Sequence, residues 1–598
     1  MSFIARGLNN VCNSLISVRP SVIGVRSSTI QTVRYKRTNS NSKAKQSKFN
    51  KSSKSTKSNK FTKSTKSSSI PTGHNPSFKT QGKFSKLDYP SKKVFETSSV
   101  GLETINSFNE LRIFPTVRQA MIKEIKDQYN LKDSLIKSRE ELDIKPTPCQ
   151  IATIRKINIP RLSERFLEKP SEDLKPEEQI QLEFRKENEL NKLKIFALAS
   201  ETGSGKTWAY LASILSKLKE DDWELYMKNP KKYHESQNNK IIRAVILVPT
   251  YELVHQVTDV LRRATSFDLD IEDIPKQYRE FVEETTQEGE SPKLRLRIFQ
   301  WLRSVPHTSV YEYLRHGNID VLVTTPGKII GLQKLRNDSD PFRIFRGVKY
   351  CVIDEADTLF DVSWIGDTIQ TIRRFRRLKD LVFCSATIPN EFKKTLISEF
   401  PGEDSIIEIA TPSLHKISRN IKISIIDAQK PPFNGSIIRC LAQALYAIRN
   451  DGTEDGLVKR IVVFVNKKEQ VSAVKNSLVV KYKYKEEDII TIQGNTEAEE
   501  RQELIQPFIQ PAEKLTEDGP RIKVLITTDL LGRGINFYSI KNVIMLEMPN
   551  SSLDMIHRIG RTGRMGQSGR VLMILDNSKD IKKLVGVPKA ALKGVPIG

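Results

Sequence analysis

The chain has 598 residues, 38% of them apolar and 7% aromatic, with 97 Lys or Arg against 71 Asp or Glu and a formal charge of +26. That length accommodates two or three domains at roughly 100–200 residues each, and no stretch reaches the roughly 18 consecutive apolar residues of a membrane span. The five cysteines, Cys12, Cys149, Cys351, Cys384 and Cys440, contain no C-x-x-C pair, which argues against a zinc site or disulfide framework and for a reducing compartment such as cytosol or matrix.

The basicity is uneven. The first 87 residues hold 18 Lys or Arg and no acid, so the remaining 511 carry only about +8. Within residues 1–37, Arg6, Arg19, Arg26, Arg34 and Arg37 are spread among Ile, Leu, Val and Ser. This is the composition of a mitochondrial transit peptide; an unbroken apolar core of 7–15 residues, the mark of a secretory signal, is missing. The mitochondrial matrix is the expected location. Residues 38–100 begin as a Ser, Lys, Asn and Thr tract with too little apolar surface to offset the entropy of ordering, and disorder is expected there. It reads equally as a tether that engages phosphates non-specifically or as a solvated linker.

From residue 101 onward, short β-branched runs recur at Ile195–Ala199, Ala244–Val248, Val321–Thr324, Tyr350–Ile353 and Leu381–Cys384. A second group follows at Ile461–Val465, Ile489–Ile492, Val524–Thr527, Val543–Leu546 and Val571–Ile574. Helical patterns such as Thr207–Lys219, Tyr251–Ala264 and Lys468–Val480 separate them. Buried strands alternating with helices predict α/β domains with parallel sheets. We place the first domain at 101–412, a linker at 413–420, the second domain at 421–580 and a short tail at 581–598. Residues 160–194 read as a charged helical insertion, 265–293 as a loop or surface helix, and 509–520 as a lengthened loop.

Three motifs carry chemistry. Ser200-Glu201-Thr202-Gly203-Ser204-Gly205-Lys206-Thr207 follows a predicted strand and opens a helix. Gly203 and Gly205 let backbone N–H groups wrap phosphates at a helix N-terminus, with Lys206 reaching the β- and γ-phosphates and Thr207 binding Mg²⁺. Asp354-Glu355-Ala356-Asp357 ends another strand, where Asp354 would hold Mg²⁺ and Glu355 would polarise the attacking water. In His557-Arg558-Ile559-Gly560-Arg561-Thr562-Gly563-Arg564, three arginines spaced three apart suit contact with a γ-phosphate across a cleft.

With these motifs on the page, the chain resembles the DEAD-box family of ATP-dependent RNA helicases, its mitochondrial members in particular, over roughly residues 105–580. Pro146-Thr-Pro-Cys-Gln150 looks like the Q motif, which implies that Gln150 reads adenine and that Phe108 is its accompanying aromatic. Pro249-Thr250-Tyr-Glu-Leu and Thr325-Pro326-Gly327-Lys328 match the motifs that contact the nucleic-acid backbone. Ser385-Ala-Thr387 matches the segment that couples hydrolysis to RNA binding, together with Asp357. Arg501 and Thr528 fall where the second domain meets RNA, and Gly534 and Asn536 where it meets the nucleotide. The resemblance implies two tandem RecA-like domains that bind ATP, Mg²⁺ and RNA across one cleft, gripping phosphates and sugars instead of reading bases. The protein is expected to act as a monomer.

The departures are Asn536 for Asp, Ala498 for Gln, Lys328 for Arg (a lysine lacks the bidentate fork of arginine), no Gly-Gly motif between Gln256 and Thr325, and a long spacing from Gln150 to the phosphate loop. A DNA-directed helicase of the same superfamily and an RNA clamp that needs no hydrolysis are the competing readings. Ribosomal RNA and pre-ribosomal particle proteins are the expected partners if the address is the matrix; intron splicing and RNA turnover are the alternatives.

Overall fold

The computed structural model describes residues 91–593, except 129–141, 160–191, 202, 287–288, 336–338, 362–363, 387–389, 401–405, 412–413, 415, 494–495, 497, 511, 517–520, 530–536, 538–539 and 564–566. The transit segment 1–37, the Ser/Lys tract to residue 90, most of the insertion 160–194, and Thr202, Thr387, Gly534, Asn536 and Arg564 lie outside the described residues. Among the described residues no helix is long and apolar enough to cross a membrane.

The chain builds two α/β lobes. In the first, β1 (Lys194–Ala199), β2 (Ile242–Leu247), β3 (Ile298–Trp301), β4 (Ile319–Thr324), β5 (Tyr350–Asp354), β6 (Asp380–Ser385) and β7 (Ile406–Ala410) form a sheet ordered β3-β4-β2-β5-β6-β1-β7, with every pair parallel. In the second, β8 (Ile421–Asp427), β9 (Lys459–Phe464), β10 (Ile489–Ile492), β11 (Ile522–Thr527), β12 (Asn542–Met545) and β13 (Gly569–Leu575) are ordered β10-β11-β9-β12-β13-β8, again all parallel. The ten expected strands are all present. The three that sequence reading missed, β3, β7 and β8, are edge strands, and their half-exposed Gln300, Glu408 and Ser424 interrupt the apolar run that marks an interior strand.

Period-2 alternation gives each sheet two cores. In β1, Phe196 and Leu198 enter one and Ile195 and Ala199 the other; in β9, Val462 and Phe464 enter one and Ile461 and Val463 the other. Each fully buried Leu, Ile, Val or Phe contributes about 1.5–3 kcal/mol, and helices on both faces make that burial possible. The crossing between lobes is short, because Leu414 packs into a first-lobe core and Ile417 into a second-lobe core.

Two boundaries need correction. The last part of the segment expected to be disordered to residue 100 is a helix, Lys92–Ser99, capped by Ser91 and joined to β7 where Ala410 N donates to Ser98 Oγ at 3.3 Å. The expected tail at 581–598 includes the end of a helix, Ser578–Leu584, and another, Val587–Lys593, whose Leu584, Val587, Ala590 and Ala591 complete a second-lobe core. Apolar residues at helical spacing outweigh the basic composition in both places. Within 265–293, the surface helix Lys276–Glu284 buries Phe281 and Val282 and sets Tyr278 4.9 Å from the ring of Phe114.

Candidate nucleotide and nucleic-acid site

Parallel α/β sheets present their functional loops at the carboxyl ends of the strands, and the candidate residues gather there. After β1 the chain turns through Gly203 (φ 80°) and Gly205 (φ 84°) into the helix Lys206–Lys228. Only a residue tolerating positive φ fits these corners, and Gly205 brings no side chain to cap the first N–H groups, which are the donors an anion would meet. Lys206 Nζ donates to the carbonyls of Ser200 at 3.0 Å and Glu201 at 2.8 Å, so the ammonium is held over the loop by its own backbone. Ser200, where the strict pattern has glycine, is buried; its Oγ donates to Ser204 Oγ and lies 3.0 Å from Thr411 Oγ1.

The loop leans on the helix Pro148–Ile157. Thr147 Oγ1 donates to Ser204 O at 2.6 Å, Thr147 N donates to Gln150 Oε1 at 2.9 Å, and Gln150 N returns to Thr147 Oγ1 at 3.2 Å. The Gln150 amide therefore forms half of a capping box and lies against Gly205, with Nε2 3.5 Å from its carbonyl. Nucleobase recognition by Gln150 would have to exchange those bonds. Phe108 is a correction: it is 1% exposed inside a first-lobe core, so its ring is not offered to a ligand. Its apolar neighbours Leu111, Ile113 and Phe114 absorb it.

Asp354 closes β5 two strands from β1, across β6. Its Oδ2 accepts from Tyr210 OH at 3.0 Å and its Oδ1 from Glu355 N at 2.9 Å. Burial and the neighbouring Glu355 push its carboxyl up to about 6 against the pull of Lys206. Glu355 sits at φ 50° and its buried Oε2 makes no hydrogen bond. Two adjacent buried carboxylates, Asp354 and Glu355, suit a divalent cation, with Thr207 available at the start of the helix Lys206–Lys228.

The second lobe reaches this place. His557 Nε2 lies 3.2 Å from Asp357 Oδ2, and its Nδ1 4.0 Å from Glu355 Oε2, all three side chains buried. Arg561 Nε donates to His557 O at 2.9 Å. Arg558 corrects the reading of three phosphate-facing arginines: its Nε and Nη2 donate to Asp529 at 2.6 and 2.7 Å, Nη2 also donates to Asn466 Oδ1 at 2.8 Å, and its guanidinium lies 5.4 Å from the centre of the Phe464 ring. It locks the second lobe internally.

The residues assigned to RNA are divided. Pro249 and Thr250 follow β2, while Thr325, Pro326 and Gly327 follow the adjacent β4, so these five share one edge; Gly327 is exposed and Thr250 half-buried. Thr528 is half-buried after β11. Lys328 is turned inward, donating to Arg303 O at 3.2 Å and Val305 O at 2.6 Å, and burial lowers its pKa. Arg501 donates to Glu252 Oε1 of the first lobe at 2.8 Å and to Thr496 O at 2.9 Å. Ser385 is buried at the end of β6, its carbonyl accepting from Ser200 N at 3.1 Å. Sequence reading includes Thr147 and Glu252 in motifs without giving either a role, and passes over Tyr210. The Thr-x-x-Gln spacing of Thr147 and Gln150 is a readable capping signal, whereas nothing local marks the other two.

The chain is similar to known proteins in sequence and fold. Residues 179–395 match the model of the DEAD/DEAH box helicase family, and residues 439–566 that of the helicase conserved C-terminal domain. The chain is 53% identical over 530 residues to a protein of Debaryomyces hansenii named "ATP-dependent RNA helicase MRH4, mitochondrial", covering 88% of this chain and 89% of that one. The protein of the same name from Saccharomyces cerevisiae (strain YJM789) is 33% identical, covering 83% of each. Among solved structures, S. cerevisiae Dbp5 bound to RNA and ADP BeF3 shares the fold, with a TM-score of 0.52 at 20% identity, covering 81% of this chain and 93% of that one.

Proposed function

The chain belongs to the DEAD-box family of ATP-dependent RNA helicases and is a mitochondrial ATPase of that family; from this we propose that it remodels structured RNA by closing two lobes over one ATP and one RNA strand. The observation that carries the reading is the burial of His557, from the second lobe, against Asp357, three residues from the Asp354 carboxylate. A contact that joins the two lobes beside the phosphate loop lets occupancy of either ligand favour closure, so each raises the affinity of the other.

In this reading Lys206 and the N–H groups after Gly205 neutralise phosphate charge. Glu355 orients the attacking water and accepts its proton. Arg561 and Arg564 offset charge developing on the transferred phosphoryl group, an effect worth about 10³–10⁵ in rate. Thr207 and Asp354 would hold Mg²⁺, which supplies Lewis-acid neutralisation of phosphate oxygens. Pro249, Thr250, Thr325, Pro326, Gly327 and Thr528 face the sugar-phosphate chain, and Ser385 and Thr387 connect the two sites. Little base specificity follows, because phosphates carry no sequence information.

The pathway proposal is mitochondrial ribosome assembly in the matrix, supported by the abundance of structured ribosomal RNA there. Two experiments test the two levels. ATPase activity of the full chain should rise with single-stranded RNA more than with single-stranded DNA, and stimulation by DNA alone would overturn the RNA-remodelling reading in favour of a DNA-directed helicase. Crosslinking in intact mitochondria should recover chiefly ribosomal RNA, and dominance of messenger or intron sequence would replace the ribosome proposal with turnover or splicing.

A further inference from the structure

The inward turn of Lys328 removes a cation from the RNA-facing edge, and the same bonds build a new one beside it. The edge strand β3 ends at Trp301, whose carbonyl accepts from Thr324 Oγ1 at 2.9 Å. Val305 N then donates to Leu302 O at 3.2 Å, closing a tight turn with Arg303 and Ser304 at its corners. Lys328 Nζ takes the carbonyls of Arg303 and Val305 from beneath and sits 5.7 Å from the centre of the Trp301 ring, while Trp301 Nε1 donates to Pro306 O at 3.4 Å. The turn is thus pinned with the carbonyls of Leu302, Arg303 and Val305 satisfied and with Arg303 and Ser304 exposed. Among the described residues Arg303 has no carboxylate within 4.0 Å.

This turn stands at the carboxyl end of β3, next to Thr325 and Gly327 after β4, which adjoin Pro249 and Thr250 after β2. Three neighbouring strands therefore deliver three loops to one edge. On the RNA-helicase reading above, we infer that Arg303 is a backbone contact for single-stranded RNA, binding a phosphate, and that Lys328 is the positioning residue that holds its turn. The contact is to charge, so it adds affinity without sequence preference.

The test uses the full chain, a single-stranded RNA homopolymer, and ATPase rate as a function of RNA and salt. Arg303→Ala, an exposed change, should raise the half-saturating RNA concentration roughly five- to tenfold and reduce the slope of log affinity against log salt by about 0.7, with the rate at saturating RNA retained. Arg303→Lys should keep the salt slope. Lys328→Met should raise the same half-saturating concentration, and Lys328→Arg, which keeps donors for both carbonyls, should not. A salt slope unchanged by Arg303→Ala overturns the inference while leaving the helicase reading intact. Absence of RNA stimulation in the unaltered protein removes that reading, and the inference with it.

Discussion

Arg501 donates to Glu252 at 2.8 Å, joining the second lobe to the helix that opens directly after Thr250 in the first, with both side chains at about one-tenth exposure. Breaking a pair so nearly buried leaves the other charge without compensation. We predict that Glu252→Gln and Arg501→Gln each weaken ATP- and RNA-dependent approach of the lobes, measured by energy transfer between dyes on each lobe. The double-mutant cycle should give a coupling of about 1–3 kcal/mol, and the charge swap Glu252→Arg with Arg501→Glu should recover part of the loss. A coupling near zero would mean that the pair does not report on closure.

Glu355→Gln should lower hydrolysis by about 10²–10⁴ while a fluorescent ATP analogue binds within roughly twofold of the unaltered protein, because the substitution keeps the shape of the side chain and removes only its basicity. Cells that grow normally on this variant would favour the clamp that works without hydrolysis.

Gly205→Ala should abolish tight nucleotide binding. A Cβ there would lie 2.8 Å from Gln150 Nε2 and 3.3 Å from Thr147 Oγ1, and the left-handed backbone adds roughly 1–2 kcal/mol of strain. Calorimetric titration with ATP checks this, and near-normal affinity would show that the capping box of Thr147 and Gln150 yields without cost to the loop.

Phe108→Ala separates a core role from a stacking role. As a core side chain, its loss should destabilise the first lobe by about 3–5 kcal/mol, read from chemical unfolding, while the folded fraction keeps its affinity for ATP. Unchanged stability with a weakened ATP affinity would restore the stacking assignment.

Asp451 predicts a pH dependence. Burial alone would raise its carboxyl, but Lys459, Thr453 and Arg570, at 2.6–3.0 Å, outweigh that and hold it below the usual carboxylate value. A carboxyl depressed on folding stabilises fully above its unfolded pKa of about 3.9 and loses that contribution as pH falls through the lower folded value. Asp451→Asn should therefore destabilise the second lobe by about 3 kcal/mol near neutral pH, with the deficit shrinking below about pH 4. Urea unfolding at both pH values checks this; a deficit independent of pH would refute it.

Interior strands and the phosphate loop were legible because their signals are local. β1, β5, β9 and β11 are short apolar runs, and the loop from Ser200 to Thr207 sits between a strand and a helix. The edge strands β7 and β8 were not legible, since Glu408 and Ser424 face partly outward and dilute the pattern, whereas the edge strand β10 keeps an apolar run and was. In the site, the sequence shows Lys206 opening a helix and Asp354 ending a strand, and the structure has both there. The fates of Phe108, Lys328, Arg501 and Arg558 were hidden, because each depends on what the fold packs against the side chain from tens or hundreds of residues away. An aromatic before a glutamine looks the same in sequence whether it ends in a core or over a base.

The helix Val587–Lys593 lies against β8, the strand that opens the second lobe, and Arg419 Nη2 donates to Lys593 O at 3.2 Å. Synthesis releases the chain in order, so the first lobe has every strand available while the second still waits for residues near 590. Until they arrive, β8 has an uncovered apolar flank, which is a surface for misassociation. Retaining folding helpers until the last turn has emerged, or shielding that flank in any shortened version, follows from this one packing arrangement.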